Sequence, residues 1–147
     1  MWWSLEYAVY DYVKQILFKP SLNVDILEIT VDKNGHFLVA NIDINQDNLC
    51  LVNIYAPNDQ NQQVNFFDKI IDPIRLSSTN NILQGGDLNC HLTEVDKVGG
   101  RDILHSKRTI KSNPGTCNSF DLVDVWRTQH PNKKRYSWAN GSGKIKC

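Results

Sequence analysis

Three side chains of this 147-residue chain could work on one substrate if the fold gathers them: Tyr55 in "NIYAPN" (53–58), and Asp87 and Asn89 in "GGDLNC" (85–90). A carboxylate can orient and deprotonate a water molecule. A carboxamide can hold that water or a phosphate oxygen, and a phenol can donate to oxygens that gain charge as a bond breaks. The set suits hydrolysis of a phosphodiester, and its hard oxygen donors point to magnesium rather than a softer metal. Gly85 and Gly86 would let backbone and ligand come close together. Taken singly each loop is ordinary, since Tyr-Ala-Pro-Asn and Gly-Gly-Asp both make acceptable turns. The specific signal is their order, one after each of two strand-like segments with a helical segment between.

The elements that would position them are legible in outline. "VDILEITV" (24–31) is rich in β-branched residues, and "DKNG" after it carries the Asn-Gly signal of a tight hairpin into "HFLVANIDI" (36–44). A second turn at 45–48 leads into "LCLVNIY" (49–55), and near-continuous apolar character in both of these strands predicts burial on two faces. "QILF" (15–18) is expected to add one more strand upstream, giving a meander of about four. Phe66, Phe67, Ile70, Ile71 and Ile74 recur at helical spacing, with Asp59 or Asn61 as a cap and Pro73 to kink or shorten the helix. "NILQ" (81–84) then reads as a short strand ending at the two glycines. Beyond it, Leu122, Val125 and Trp126 are expected to form a buried face, and "RYSWAN" (135–140) a last strand. The fold class expected is α/β, a layered α+β sandwich.

Composition sets the frame. With 41% hydrophobic and 22% charged residues the chain belongs with globular proteins, and its length suits one domain. No apolar run approaches the roughly 20 residues that cross a bilayer. The opening "MWWSLEYAVYDYVKQILF" has acids where a signal peptide carries positive charge, so an intracellular location, nucleus or cytoplasm, is expected. Cysteines 50, 90, 117 and 147 are too scattered for a CxxC pair, and with His36, His91, His105 and His130 they form no zinc-finger spacing. Charge is uneven along the chain: residues 1–96 hold 5 Lys/Arg against 13 Asp/Glu, and 97–147 hold 11 against 3. An acidic half able to hold a cation thus precedes a basic half able to face phosphates. Lys133, Lys134 and Arg135 with Tyr136 and Trp138 form the densest basic and aromatic run, read either as a solvated, packed face or as a contact surface.

In these motifs the sequence resembles the endonuclease/exonuclease/phosphatase family, most closely the apurinic-like endonuclease domains of LINE-type retrotransposons. The likeness runs through "ILFKPS" (16–21), "GHFLVANIDI", "LVNIYAPN", "FFDKI", "ILQGGDLNC", "DKVGGR", "FDLVDVWR" and "HPNKKRYSWANGSGKIK". It implies a domain over 16–147, with residues 1–15 foreign to the family. By that resemblance Asp87 and Asn89 match the catalytic Asp-x-Asn pair and Tyr55 the active-site tyrosine. Lys97, Ser137 and Arg135 fall in DNA-facing loops. DNA would be the substrate, Mg²⁺ the cofactor and in-line attack by water the reaction, with no membrane partner and no small organic cofactor.

Such enzymes also use a glutamate in a Gln-Glu context, a later Ser-Arg-x-Asp strand and a terminal Asp-His pair. None of these motifs occurs here: Glu6 in "SLEYA" lacks the context, and Glu28 lies mid-strand. The expectation is a partial four-layer fold without its terminal strands, the middle of a retrotransposon-derived endonuclease, inactive alone. Two other readings stay open: a non-catalytic nucleic-acid-binding remnant, and a phosphatase or phosphodiesterase of the same family.

Overall fold

The computed structural model describes residues 16–19, 21–90 and 119–134. The chain divides into two compact units, Met1–Pro57 with Lys69–Leu88 and Asn58–Asp68 with Asn89–Cys147. The first holds a four-stranded sheet in the order β1-β2-β3-β4, formed by Val24–Val31, Phe37–Ile44, Asp47–Tyr55 and Ile82–Asp87. The first three strands are antiparallel neighbours, and β4 runs parallel to β3. A parallel neighbour needs a crossover, supplied by helix α1 (Gln60–Arg75). This mixed architecture bears out the expected α/β class.

Burial follows the apolar pattern. All of Phe37–Ile42 in β2 is buried, as are Cys50, Leu51, Val52 and Ile54 in β3, so these two strands are covered on both faces. On one face Leu38, Ala40, Ile42 and Leu51 form a cluster against which Ile26, Ile29, Val31 and Leu49 pack. Ile16 and Phe18 pack there too, but residues 16–19 form no strand. Among the described residues the antiparallel meander therefore has three strands rather than four, and residues 16 and 18 contribute apolar side chains in place of a backbone ladder. On the other face Asn41 is held by two partners. It accepts from Ser77 Oγ at 2.6 Å and donates to Glu28 Oε2 at 3.3 Å, so the residues after α1 are tied to the middle of the sheet.

The two hairpins exchange the expected roles. At 32–36 the Asp32 carboxylate accepts from the backbone N–H of Asn34 and of His36, at 3.2 and 3.3 Å, and only Gly35 turns to positive φ. That Asp-anchored loop replaces a two-residue Asn-Gly turn, and β2 starts at Phe37. The tight turn lies instead at Asn45 and Gln46, with φ of 55° and 76°, the pattern of a primed hairpin. It lets β3 begin at Asp47, earlier than the apolar pattern alone places it. β1 carries a bulge between Ile26 and Glu28, which leaves Leu27 exposed.

Helix α1 is capped by Asp59, whose carboxylate accepts from the Asn61 N–H at 2.8 Å and whose carbonyl accepts from Gln62 and Gln63. Phe66, Phe67, Ile70 and Ile74 are buried, as the spacing predicts. Pro73 sits in the last turn and the helix ends two residues later, at Arg75. In the second unit Phe66 and Phe67 meet edge to face, their centroids 5.2 Å apart. A short helix, α2 (Val125–Gln129), is capped by Asp124, whose Oδ1 accepts from the Arg127 N–H at 2.8 Å. The expected buried face there is not formed: Val125 is 58% exposed and α2 buries no residue. Capping and the Arg127 Nη1 bonds to the carbonyls of His130, Pro131 and Lys133 hold this short turn in place of apolar packing.

Candidate functional site

The two glycines decide where the site forms. β4 runs through them to Asp87 instead of stopping, pairing Asn53 with Gly85, Ile54 with Gly86 and Tyr55 with Asp87. Gly86 has φ of +120°, and a Cβ there would lie 2.0 Å from the Ile54 carbonyl oxygen. No other residue lets β4 lie so close to β3. Gly85 faces open space. Continuation of the ladder places Asp87 on the strand neighbouring Tyr55, about 4.8 Å away in the backbone spacing of a sheet. The Ala56 N–H donates to the Asp87 carbonyl at 2.8 Å, fixing the two strand ends together. Register partners in a sheet share a face, so Tyr55 and Asp87 are presented on the same side. Asp87 is exposed, and Tyr55 is 48% exposed. Asp87 is thus strand-borne, at the carboxyl end where β3 and β4 run side by side.

On the other side of Tyr55 stands His36. The Tyr55 N–H donates to the His36 carbonyl at 2.8 Å, next to the register pair Phe37 and Ile54. His36 Nδ1 lies 3.3 Å from Asp32 Oδ2. The turn that holds β1 to β2 therefore delivers an imidazole beside the phenol-bearing strand end.

Asn89 belongs to the second unit. Its backbone is left-handed, with φ of 47°, a conformation asparagine tolerates better than most residues. Its carbonyl accepts a 2.9 Å bond from Nε2 of Gln63, and Gln63 is completely buried. Of the remaining expected residues, Lys97, Ser137 and Arg135 lie outside the described residues, as does the strand expected at 135–140. Lys133 and Lys134 are exposed, and Lys133 Nζ lies 5.9 Å from the centroid of the Trp126 ring, which also meets the His130 ring edge to face at 4.1 Å.

Among the described residues no three His, Cys, Asp or Glu side chains gather closely enough to hold a metal ion. Also among the described residues, no helix is long and apolar enough to cross a membrane.

Sequence reasoning missed two residues, Gln63 on α1 and His36 before β2. Gln63 was open to detection, because it stands in helical phase with Phe66, Phe67, Ile70 and Ile74 and is a carboxamide in an apolar stripe. His36 carried no local signal, since its place beside Tyr55 depends on the length of the turn before β2 and on the β2–β3 register.

The fold and this paired strand end define a mixed α/β domain whose exposed polar groups sit where a parallel pair of strands terminates. No protein-family profile matches the chain. It is similar to the "Transposon TX1 uncharacterized 149 kDa protein" of Xenopus laevis, with 25% identity over 123 residues. That similarity covers 83% of this chain and 9% of the transposon protein. The chain is thus a distant relative of a transposon-encoded protein and spans less than a tenth of its length.

Proposed function

We propose that the chain carries the central part of a retrotransposon-derived DNA endonuclease of the endonuclease/exonuclease/phosphatase type, over residues 16–147. The observation that carries this reading is the register pair Tyr55 and Asp87 at adjoining strand ends, with Asn89 two residues on. The transposon relative supports the origin. In this reading a phosphodiester lies across the ends of β3 and β4. Asp87 takes a proton from the attacking water, the Asn89 amide holds that water or a phosphate oxygen, and the Tyr55 phenol donates to a non-bridging oxygen as the opposite P–O bond breaks and its leaving oxygen takes a proton from solvent. Mg²⁺, the cofactor of such enzymes, would supply a Lewis acid for the charged phosphate. Lys97, Arg135 and Ser137 would face the DNA.

Groups that act as a unit lose most of their rate when several are missing, so a polypeptide of these 147 residues is expected to bind DNA without cutting it. The test is titration of a fluorescent duplex oligonucleotide, with plasmid nicking in Mg²⁺ measured alongside. Binding should weaken severalfold in Tyr55→Ala, and nicking should stay at background. Binding indifferent to Tyr55 would refute the assignment, and nicking abolished by Asp87→Ala would show that the chain is catalytically complete.

A second reading draws on the charge surplus of 97–147, with 11 basic against 3 acidic residues, and on Lys133 beside Trp126. It makes the chain a non-catalytic nucleic-acid binder, whose affinity falls steeply with salt and depends on Lys133 and Lys134 rather than Tyr55.

A further inference from the structure

The second unit contains a built contact to the backbone of Asn89. Gln63 lies on the first turn of α1, where the Asp59 cap fixes the direction of the helix: the carbonyl of Asp59 accepts from the Gln63 N–H at 3.1 Å. Its side chain is completely buried, in phase with Phe66, Phe67 and Ile70. A primary amide in that position must be compensated by a specific bond, because burial without one costs more than the bond returns in water. The Nε2 group meets this need by donating to the Asn89 carbonyl at 2.9 Å. Its acceptor belongs to a residue with φ of 47°, so the bond fixes a peptide whose conformation is uncommon for a residue with a side chain.

Holding the carbonyl of a left-handed residue also fixes the direction in which its side chain leaves the backbone. We propose that Gln63 is the positioning residue for Asn89: its buried amide locks the Asn89 backbone and so aims the Asn89 carboxamide at a phosphate oxygen. This rests on the reading of Asn89 as a phosphodiester-binding group. A residue that acts through another has a signature that plain structural support lacks, namely that its effect disappears when the residue it positions is already gone.

The experiment is a double-variant cycle on the full chain, read by the affinity for a fluorescent DNA duplex. Gln63→Met keeps the length of the side chain and its burial but removes the donor. Asn89→Ala and Gln63→Met should each weaken binding about threefold to tenfold, the span of one hydrogen bond. The double variant should bind no more weakly than Asn89→Ala alone. Multiplying losses would overturn the proposal, because they would mean that Gln63 acts independently of Asn89. A wild-type affinity unchanged in both Asn89→Ala and Tyr55→Ala would instead refute the functional reading itself. Should Gln63→Met fail to fold, labelled wild-type chain gives the answer. A through-bond coupling between Gln63 Nε2 and the Asn89 carbonyl carbon, with the Asn89 side-chain amide shifting on addition of duplex, is expected. Absence of either signal would overturn the proposal.

Discussion

β2 and β4 both pair with β3, yet they are held to it by different means. β2 is buried along six consecutive residues from Phe37 to Ile42, and its side chains supply the core. β4 has exposed or half-buried residues throughout, with Leu83 58% exposed, and owes its last pairings to the glycine at 86. One strand is fixed by what its side chains bury, the other by how closely its backbone approaches. The contrast explains why the polar groups stand where they do. A strand anchored by side-chain burial exposes a polar side chain only at its ends, as β3 does at Tyr55, whereas a strand anchored by backbone contact can end in an exposed carboxylate.

The sharpest way to break this comparison is to cut into each strand. Ile42→Ala, at a residue 1% exposed in the middle of β2, should cost about 3 kcal/mol in urea unfolding. A loss no larger than that of a surface substitution would show that β2 is not the core strand. In β4 the glycines provide their own control. Gly86→Ala forces a Cβ into the Ile54 carbonyl at a positive φ and should cost about 2 kcal/mol. Gly85→Ala, which meets nothing within 4 Å, should stay within about 0.5 kcal/mol. Equal effects at the two positions would mean that the close approach does not hold β4.

A smaller effect comes from Cys50, on the strand between them. Burial raises its thiol above the ordinary value of 9.0, and the hydrogen bond with Ser77 offsets part of that rise. A thiol that binds its proton more tightly when folded contributes stability that is fully present below pH 9.0 and is lost as pH climbs through the raised value. The urea midpoint should therefore fall in alkaline solution more for the wild type than for Cys50→Ala. Parallel falls would place the cause elsewhere.

The same contrast governs what could be read without coordinates. β1, β2 and the buried stripe of α1 were legible because their apolar residues repeat at the period of the element, and side-chain burial leaves that mark on the sequence. The sequence alone makes β4 short because glycine interrupts an apolar pattern, and the strand continues there for a backbone reason. The sequence points to the wrong hairpin as the tight one, because the Asp32 side chain captures the loop that holds Asn34 and Gly35, while Asn45 and Gln46 take positive φ with no glycine to signal it. Tyr55, Asp87 and Asn89 could be chosen by chemical type. That Tyr55 and Asp87 share a register row follows from the parallel pairing of β3 with β4, a long-range choice that no local window contains.

The central claim is that the ends of β3 and β4 handle a phosphodiester, and mapping where DNA touches the chain tests it most directly. Isotope-labelled protein titrated with a short duplex should show the largest amide shifts at Tyr55, Ala56 and Gly85–Asn89. Shifts confined to the basic stretch from Arg127 to Lys134, with the strand ends unmoved, would contradict it.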